Sequence, residues 1–290
     1  MFSAESVQEH DTFPGKNTVA LSVKKAPYDP RQGKKRKARM KKIPDWLKKT
    51  GSVLLALLVW QGLSMLPRLS LLLASPADVL VRLGGLVTEQ TFWATVGYTF
   101  LRITLGFFIA LAAGILLAAL AGRFRAAEIL LWPWMLTIKS VPVASFVIII
   151  LIFFGAAELS AIISALMVLP IIYTNTLAGI RAADPQMDRM ARAFRLSPLR
   201  KLLYVRLPQI RPYFLSGCSV ALGLCWKSGV AAELIGQPTG SVGNRLYIAK
   251  IYFETADLFA WTLVIIVVSF LFEKAVLWLC RRFFDRWEVL

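Results

Sequence analysis

The residues that could do chemistry are few, and the most informative ones lie inside long apolar segments: Asn175, Lys227 and Glu233. A charged side chain near the middle of a membrane helix costs about 2.5–3.5 kcal/mol on insertion scales, so Lys227 is expected to face a cavity or a partner. Lys227 can alternatively extend its charge to the membrane surface, because the segment ends a turn or two later. Such residues favour binding or passage of a polar solute over catalysis.

Two of these assignments leave alternatives open. Glu233 is expected either to pair with a cation on a neighbouring helix or to lie at an outer gate. Asn175 and its neighbour Thr174 could line a path, although Asn and Thr also join membrane helices by hydrogen bonds.

No catalytic set, metal site or nucleotide-binding loop is predicted. The only histidine, His10, lies in the polar N-terminal stretch, and Cys218, Cys225 and Cys280 form no CxxC pair. The cysteines are interpreted as small packing residues. No GxxxxGK[ST] motif occurs, so the chain carries no nucleotide-binding loop of that type. Without a histidine-based site or such a loop, the chain is expected not to be an enzyme itself.

The composition indicates a multi-pass membrane protein. Of the 290 residues 57% are hydrophobic, and the formal net charge is +17. The excess of Lys and Arg falls between apolar blocks and in the N-terminal tail, as in cytoplasmic loops of membrane proteins. Nucleic-acid binding is therefore not predicted, and membrane lipid is the expected surrounding.

The hydrophobic blocks predict an all-α fold with six transmembrane helices and both termini in the cytoplasm. A basic, disordered tail is expected over residues 1–50, and a membrane domain over residues 51–290. The predicted spans are residues 52–69, 92–121, 126–154, 159–180, 212–235 and 258–280. Strongly basic inner loops and nearly neutral outer loops support this topology.

Three local patterns refine it. Ser75 and Pro76 begin an amphipathic helix on the outer surface. A stripe of small residues that includes Gly106 and Gly114 allows a neighbouring helix to approach the second span. Pro133 and Pro142 interrupt the third span, which predicts either a broken helix beside a polar path or a plain proline kink.

The most unusual stretch is the loop 181–211, with eight basic and two acidic residues. Asp184 and Pro185 predict a helix start. An apolar stripe follows at helical spacing: Met187, Met190, Ala191 and Phe194. Ser197 and Pro198 predict a second helix, which Leu207–Pro208 should end. The first helix is too short to be stable alone; it could dock in a partner's groove or lie on the membrane.

From about Leu54 to Trp287 the chain resembles the permease subunit of a binding-protein-dependent ABC importer, most like the nitrate/sulfonate/taurine type. The segments that carry the resemblance are SPADVL, IKSVPVASFVIIILIFFGAAELS, AGIRAADPQMDRMARAF, the LP at Leu207–Pro208, GVAAELIG and the last apolar helix. The resemblance implies the type I importer permease fold and a multi-pass protein of the bacterial plasma (inner) membrane.

The resemblance also implies partners and cofactors. The expected assembly has two copies of an ABC ATPase, which bind ATP and Mg, an extracytoplasmic solute-binding protein, and a homodimer of the permease. The chain itself is expected to hold no cofactor. The solute is expected to be a small anion such as a sulfonate or nitrate. Glu233 matches a family block, which favours a structural or gating role.

In the resembling permeases the long loop docks on the ATPase through an EAA-x3-G signature followed by LP. Here Ala191, Leu207 and Pro208 match, whereas Arg189 replaces the Glu and Arg195 the Gly. The predicted ATPase-coupling residues are Asp184, Met187, Arg189, Met190, Ala191, Phe194, Arg195, Leu207 and Pro208. The two arginines predict a partner groove with an acidic rim.

The alternative function is a secondary transporter or channel without an ATPase. Such a protein needs its own ion-coupling residues, and the spans offer only Lys139, Lys227, Glu233 and Glu273. An intramembrane enzyme is a third class, but no nucleophile–base set or paired carboxylates support it.

Overall fold

The computed structural model describes residues 45–66 and 72–288, and the regular secondary structure within these ranges is helical throughout. Contacts divide the chain into two units, Met1–Val53 and Leu54–Leu290. Of the predicted N-terminal tail, residues 1–44 lie outside the described residues, as do residues 67–69 of the first predicted span.

Ten helices follow one another in the described ranges. They are α1 (Asp45–Ser64), α2 (Pro76–Thr88), α3 (Gln90–Arg123), α4 (Arg125–Ser140), α5 (Val143–Phe154), α6 (Leu159–Arg181), α7 (Pro185–Ala193), α8 (Pro198–Gly236), α9 (Val242–Ile251) and α10 (Thr255–Glu288). The prediction of an all-helical protein is confirmed for this part of the chain.

Four of these helices, α3, α6, α8 and α10, are long and apolar enough to cross a membrane. The pair α4 and α5 forms a fifth candidate if its two bent halves count as one span. The apolar part of α1, Thr50–Ser64, is shorter than the other candidates. Six spans therefore remain a prediction.

Helix α1 ends at Ser64, before the predicted end of the first span at residue 69. The Met65 amide donates to the carbonyl of Gly62, so the last turn has tightened. In the sequence Leu66 precedes Pro67, and because a residue before a proline disfavours helical geometry, an end near this point is expected.

The core lies between α3, α6, α8 and α10. Phe107, Ile172, Leu222, Trp226 and Phe272 are buried in one cluster. The predicted stripe of small residues lets α3 and α6 approach closely: a Cβ on Gly114 would lie 2.9 Å from Ile172 Cγ2. Small residues at such contacts are how membrane helices gain van der Waals packing without a hydrophobic driving force.

Helix α2 begins as predicted, with Ser75 accepting a hydrogen bond from the Asp78 amide and Pro76 at its first position. Its apolar stripe divides between two directions. Val79 and Leu86 are buried in a cluster with Phe92 and Trp261, whereas Leu80 is exposed.

Proline breaks the chain between α4 and α5, where the two axes meet at 104°. Pro142 precedes α5 as its N-cap residue, and Pro133 lies inside α4 without ending it. The helix is therefore broken at Val141–Pro142, and the polar path beside the break stays a prediction.

Candidate functional site

The helix of the long loop, α7, begins where the sequence predicts it. The Asp184 side chain accepts a hydrogen bond from the Gln186 amide at 2.7 Å, and Pro185 occupies the first turn. The Gln209 side chain of α8 accepts from the Asp184 amide at 2.6 Å and donates to the Val205 carbonyl at 2.7 Å. The loop helix is thus attached to α8 at its first residue.

The predicted apolar stripe of α7 divides into an inward and an outward part. Ala191 is only 1% exposed, whereas Met187, Met190 and Phe194 are 43%, 46% and 74% exposed. Ala191 therefore packs α7 against its own chain. The other three side chains form an outward surface, called here the loop patch.

Arg195 ends α7 in a left-handed conformation, with φ of 50°. Its amide donates to the Arg192 carbonyl, and the Leu196 amide donates to the Ala191 carbonyl, both at 3.0 Å. These two bonds define a Schellman C-cap, in which the left-handed position is most often glycine. The glycine that the resemblance implies at this position thus has a physical reason, and the arginine takes up strain there.

Asp188 holds α7 to the start of α8, and the sequence analysis missed it. Its carboxylate pairs with Lys201 Nζ at 2.7 Å and with Arg206 Nε at 3.3 Å. The hydrogen bond from Lys201, followed by that from Arg206, lowers the pKa of Asp188 below its ordinary value. The sequence offered one sign that Asp188 forms ion pairs, because Asp184 and Asp188 are the only acidic residues in this basic loop.

The two arginines that depart from the signature face outward. Arg189 and Arg195 are both exposed, as is Arg192. In the part of the chain that the structure describes, no carboxylate lies within ion-pair distance of them. The loop patch is therefore bordered by unneutralised positive charge.

Leu207–Pro208 does not end the second helix, so that prediction was wrong. The helix runs from Pro198 to Gly236, and its Leu202–Arg206 segment has π-helical geometry. The Leu207 amide bonds to the Leu202 carbonyl, five residues back. This shifted register lets the chain pass Pro208, which has no amide proton, without breaking the helix.

The three predicted path residues do not form one cluster within the chain. Asn175 is half-buried, donates to the Ile171 carbonyl at 2.9 Å, and packs where Gly217 of α8 has no side chain. Lys227 is exposed on α8, between the buried residues Trp226 and Ser228. Both alternatives for Lys227 stay open, because an exposed lysine in an apolar helix can face water or a partner or extend to the membrane surface.

Glu233 is completely buried at the other end of α8. Its carboxylate accepts hydrogen bonds from Thr99 Oγ1 at 2.8 Å and from the Gly243 amide at 3.2 Å. Thr99 Oγ1 in turn accepts from the Val242 amide at 2.9 Å. A carboxylate at the N-terminus of α9 compensates its unpaired amides and its dipole. This arrangement is called here the carboxylate lock.

The helix break adds a polar position that faces outward. Lys139 and Ser140, at the end of α4, are both exposed. Lys139 Nζ lies 3.4 Å from Thr174 Oγ1 of α6, and Thr174 also donates to the Pro170 carbonyl. Among the described residues, these groups and Lys227 are candidates for contact with a polar solute.

The long apolar helices, the broken helix and the capped loop helix define a transport permease, and comparison with known proteins gives its family. Residues 110–288, more than half of the chain, match the family described as "Binding-protein-dependent transport system inner membrane component". The chain belongs to this family. The prediction of an ABC importer permease is confirmed.

Several curated relatives are similar over most of their length. A putative aliphatic sulfonates transport permease, SsuC of Bacillus subtilis, is 27% identical over 91% of this chain and 92% of its own. The taurine permease TauC of Escherichia coli is 29% identical over 80% and 86%. The bicarbonate permease CmpB of Synechococcus elongatus is 31% identical over 68% and 71%.

Proposed function

We propose that the protein is the membrane-spanning subunit of an ABC import system for a small anionic solute. A separate ATPase that binds ATP and Mg docks on the loop 181–211, and an extracytoplasmic binding protein delivers the solute. The chain crosses the bacterial inner membrane six times with both termini in the cytoplasm. It acts as a homodimer with two ATPase copies and carries no cofactor itself.

The observation that carries this proposal is the loop patch. Met187, Met190 and Phe194 are exposed on a helix that is itself fixed, through Asp188 and Gln209, to a candidate transmembrane helix. A short helix with exposed apolar anchors docks well in a hydrophobic groove. Because α7 is attached to α8 through Asp184 and Asp188, movement of the docked partner would be passed directly to α8.

The bordering arginines indicate the chemistry of the partner's groove. Arg189 and Arg195 have no carboxylate partner in the described part of the chain, so docking in a neutral groove would leave them uncompensated. We therefore infer that the ATPase groove has an acidic rim beside these positions. Complementary charge of this kind speeds association and selects among related ATPases.

The anionic solute is supported by the relatives and by two lysines. The relatives are named as permeases for aliphatic sulfonates, taurine and bicarbonate. Lys227 and Lys139 are both exposed in the single chain and lie on helices that are candidates for crossing the membrane. Between two copies such cations would face the solute, and Asn175 would lie behind them in the packed wall.

Co-purification tests the docking of the ATPase. The tagged chain is isolated in mild detergent together with its ATPase, and the amount of ATPase is compared for Met190→Asp, Phe194→Asp and the control Tyr252→Asp. Tyr252 is 71% exposed at the C-cap of α9, as Phe194 is at the C-cap of α7, but the proposed topology puts it on the outer side, away from the loop 181–211. We expect the first two variants to lose the ATPase and the control to retain it.

Measurements of solute uptake distinguish the proposed importer subunit from a secondary transporter. Cells without the ATPase are expected to show no uptake, whereas full uptake would contradict the proposal. Lys227→Met should raise the solute concentration needed for half-maximal uptake, and an unchanged value would remove Lys227 from the path.

A further inference from the structure

A large apolar cavity lies beside the loop helix and outside the proposed solute path. Its volume is about 1060 Å³, and its walls come from α3, α8 and α10, with Phe108, Leu203 and Phe283 among the lining residues. This volume is at the upper end of ligand pockets, which span roughly 300–1,000 Å³. Its lining offers little to a small hydrophilic anion, so its occupant is expected to be mostly hydrocarbon.

The depth of the cavity corresponds to one leaflet of a membrane. Along α3 it extends from Phe108 to Arg123, which is about 22 Å at 1.5 Å per residue. Half of a bilayer with its headgroups is also about 20–22 Å thick. This comparison rests on the proposed topology, which places Arg123 at the cytoplasmic surface and Phe108 near the midplane.

The mouth of the cavity offers a positive charge. Arg123, Arg206, Asp184 and Asp188 all line it. The two carboxylates are already engaged, since Asp184 caps α7 and Asp188 pairs with Lys201 and Arg206. Arg123 is exposed and has no carboxylate within ion-pair distance among the described residues. Its guanidinium carbon lies 5.6 Å from the centre of the Phe124 ring. This contact leaves the N–H groups of Arg123 available to an anionic headgroup at the surface end of the cavity.

One wall of the cavity is the loop itself. Pro185 at the start of α7, and Leu202 and Leu207 of α8, contribute to the lining. A molecule in the cavity would thus contact both the bundle and the segment that carries the loop patch. Its presence would support α7 from the side opposite to the proposed partner.

We propose that this cavity binds one anionic phospholipid of the cytoplasmic leaflet. The acyl chains pack along α3 and α10, and the phosphate pairs with Arg123. Basic pockets between membrane helices on the cytoplasmic side are suited to such headgroups. The bound lipid holds α7 in the position from which it docks.

The chain contains a natural reporter for this site. Cys280 lines the cavity and is partly exposed, whereas Cys218 and Cys225 are buried. The full chain is reacted with a maleimide in detergent micelles that contain either phosphatidylglycerol or phosphatidylcholine. We expect phosphatidylglycerol to slow the labelling of Cys280 and phosphatidylcholine to have little effect. Cys280→Ser confirms the labelled position.

Matched variants test the headgroup and the acyl chains separately. Arg123→Gln should weaken protection by phosphatidylglycerol about fivefold, while Arg125→Gln, exposed but outside the cavity, should not. Ala119→Trp fills the cavity and should remove the phosphatidylglycerol that native mass spectrometry detects on the wild-type chain. Ala94→Trp, exposed near the start of α3 and 14 residues before the lining begins at Phe108, should retain it.

Three results would overturn the proposal. The first is equal protection by the two lipids, and the second is an equal loss for Arg123→Gln and Arg125→Gln. The third uses a photoreactive maleimide at Cys280: a crosslink to a peptide from residues 1–44 instead of lipid would identify the N-terminal tail as the occupant. All these measurements use the permease alone, so their failure is distinct from a failure of ATPase docking.

Discussion

The two ends of α8 differ in which side chains are buried. One end has a buried carboxylate, and the other is attached to a helix with exposed apolar side chains. In the carboxylate lock, Glu233 is completely buried, and Thr99 and Gly243 donate hydrogen bonds to it. At the other end, α7 keeps its polar contacts at the surface and leaves Met190 and Phe194 exposed.

This difference indicates that the carboxylate lock is the rigid part and that α7 is the part expected to bind a partner. A buried, hydrogen-bonded carboxylate is costly to disrupt, because each group left without its partner bears the full desolvation penalty. Ion pairs near the surface, such as the half-buried pair of Asp188 and Lys201, contribute less and are screened by salt. The carboxylate lock therefore fixes α9 to α3 and α8, while we expect α7 to become more stable when a partner covers the loop patch.

The largest effect is expected where the lock is most crowded. A Cβ on Gly243 would clash with the backbone of α8. It would lie 2.6 Å from the carbonyl carbon of Glu233 and 2.7 Å from the amide nitrogen of Leu234. Gly243→Ala should destabilise the protein by about 3 kcal/mol, the upper end of overpacking costs. Thermal unfolding in detergent measures this. Gly84→Ala, with no atom within 4 Å of the new Cβ, should unfold no earlier than the wild type.

A smaller loss is expected when the lock keeps its shape but loses its hydroxyl. Thr99→Val removes the donor to Glu233 and the acceptor for the Val242 amide, at a cost of about 2 kcal/mol. The control is Thr262→Val, because Thr262 is exposed and bonds only to its own helix at Leu258. Equal unfolding temperatures for the two variants would show that the lock contributes nothing.

At the loop end, a substitution should stabilise rather than destabilise. Arg195→Gly removes the left-handed strain of a non-glycine residue at φ 50°, worth about 1 kcal/mol. Hydrogen exchange of the α7 amides should become slower. If the exchange becomes faster, the arginine side chain contributes more to α7 than the strain costs.

The smallest expected effect is the change in the stability of α7 with pH. Because the folded protein lowers the pKa of Asp188, its pairing stabilises α7 fully above the ordinary Asp pKa of about 3.9 and is lost as pH falls below that value. Exchange protection of α7 should decline only in this acidic range. Asp188→Asn should show reduced protection already at neutral pH, whereas Asp285→Asn, which affects a pair with Arg211, should not.

The features that the sequence predicts well are local ones. The long helices follow from continuous hydropathy, the start of α7 from Asp184–Pro185, and the helix break from Pro142. Each depends on neighbours within a few residues. The left-handed position of Arg195 is local too, but the sequence analysis did not predict it; the glycine that the resemblance places there was the available signal.

The features that could not be predicted from the sequence depend on contacts between distant residues or on the hydrogen-bond register of a helix. Thr99 and Glu233 are 134 positions apart, so no local pattern predicts that they meet. The inward direction of Ala191 is set by packing against the rest of the chain, which periodicity alone does not reveal. At Leu207–Pro208, the helix continues because the preceding π-helical turn shifts its hydrogen bonds. The sequence shows only the proline, which usually ends a helix.

The central claim is that the loop patch docks on an ATPase, and photocrosslinking from position 194 tests it most directly. A photoreactive amino acid at Phe194 is activated in native membranes that contain the assembled transporter, with the exposed Tyr252 at the end of α9 as the control position. We expect a covalent product with the nucleotide-binding subunit from position 194 and not from position 252. Crosslinks from position 194 to lipid alone would contradict the claim and place α7 on the membrane surface.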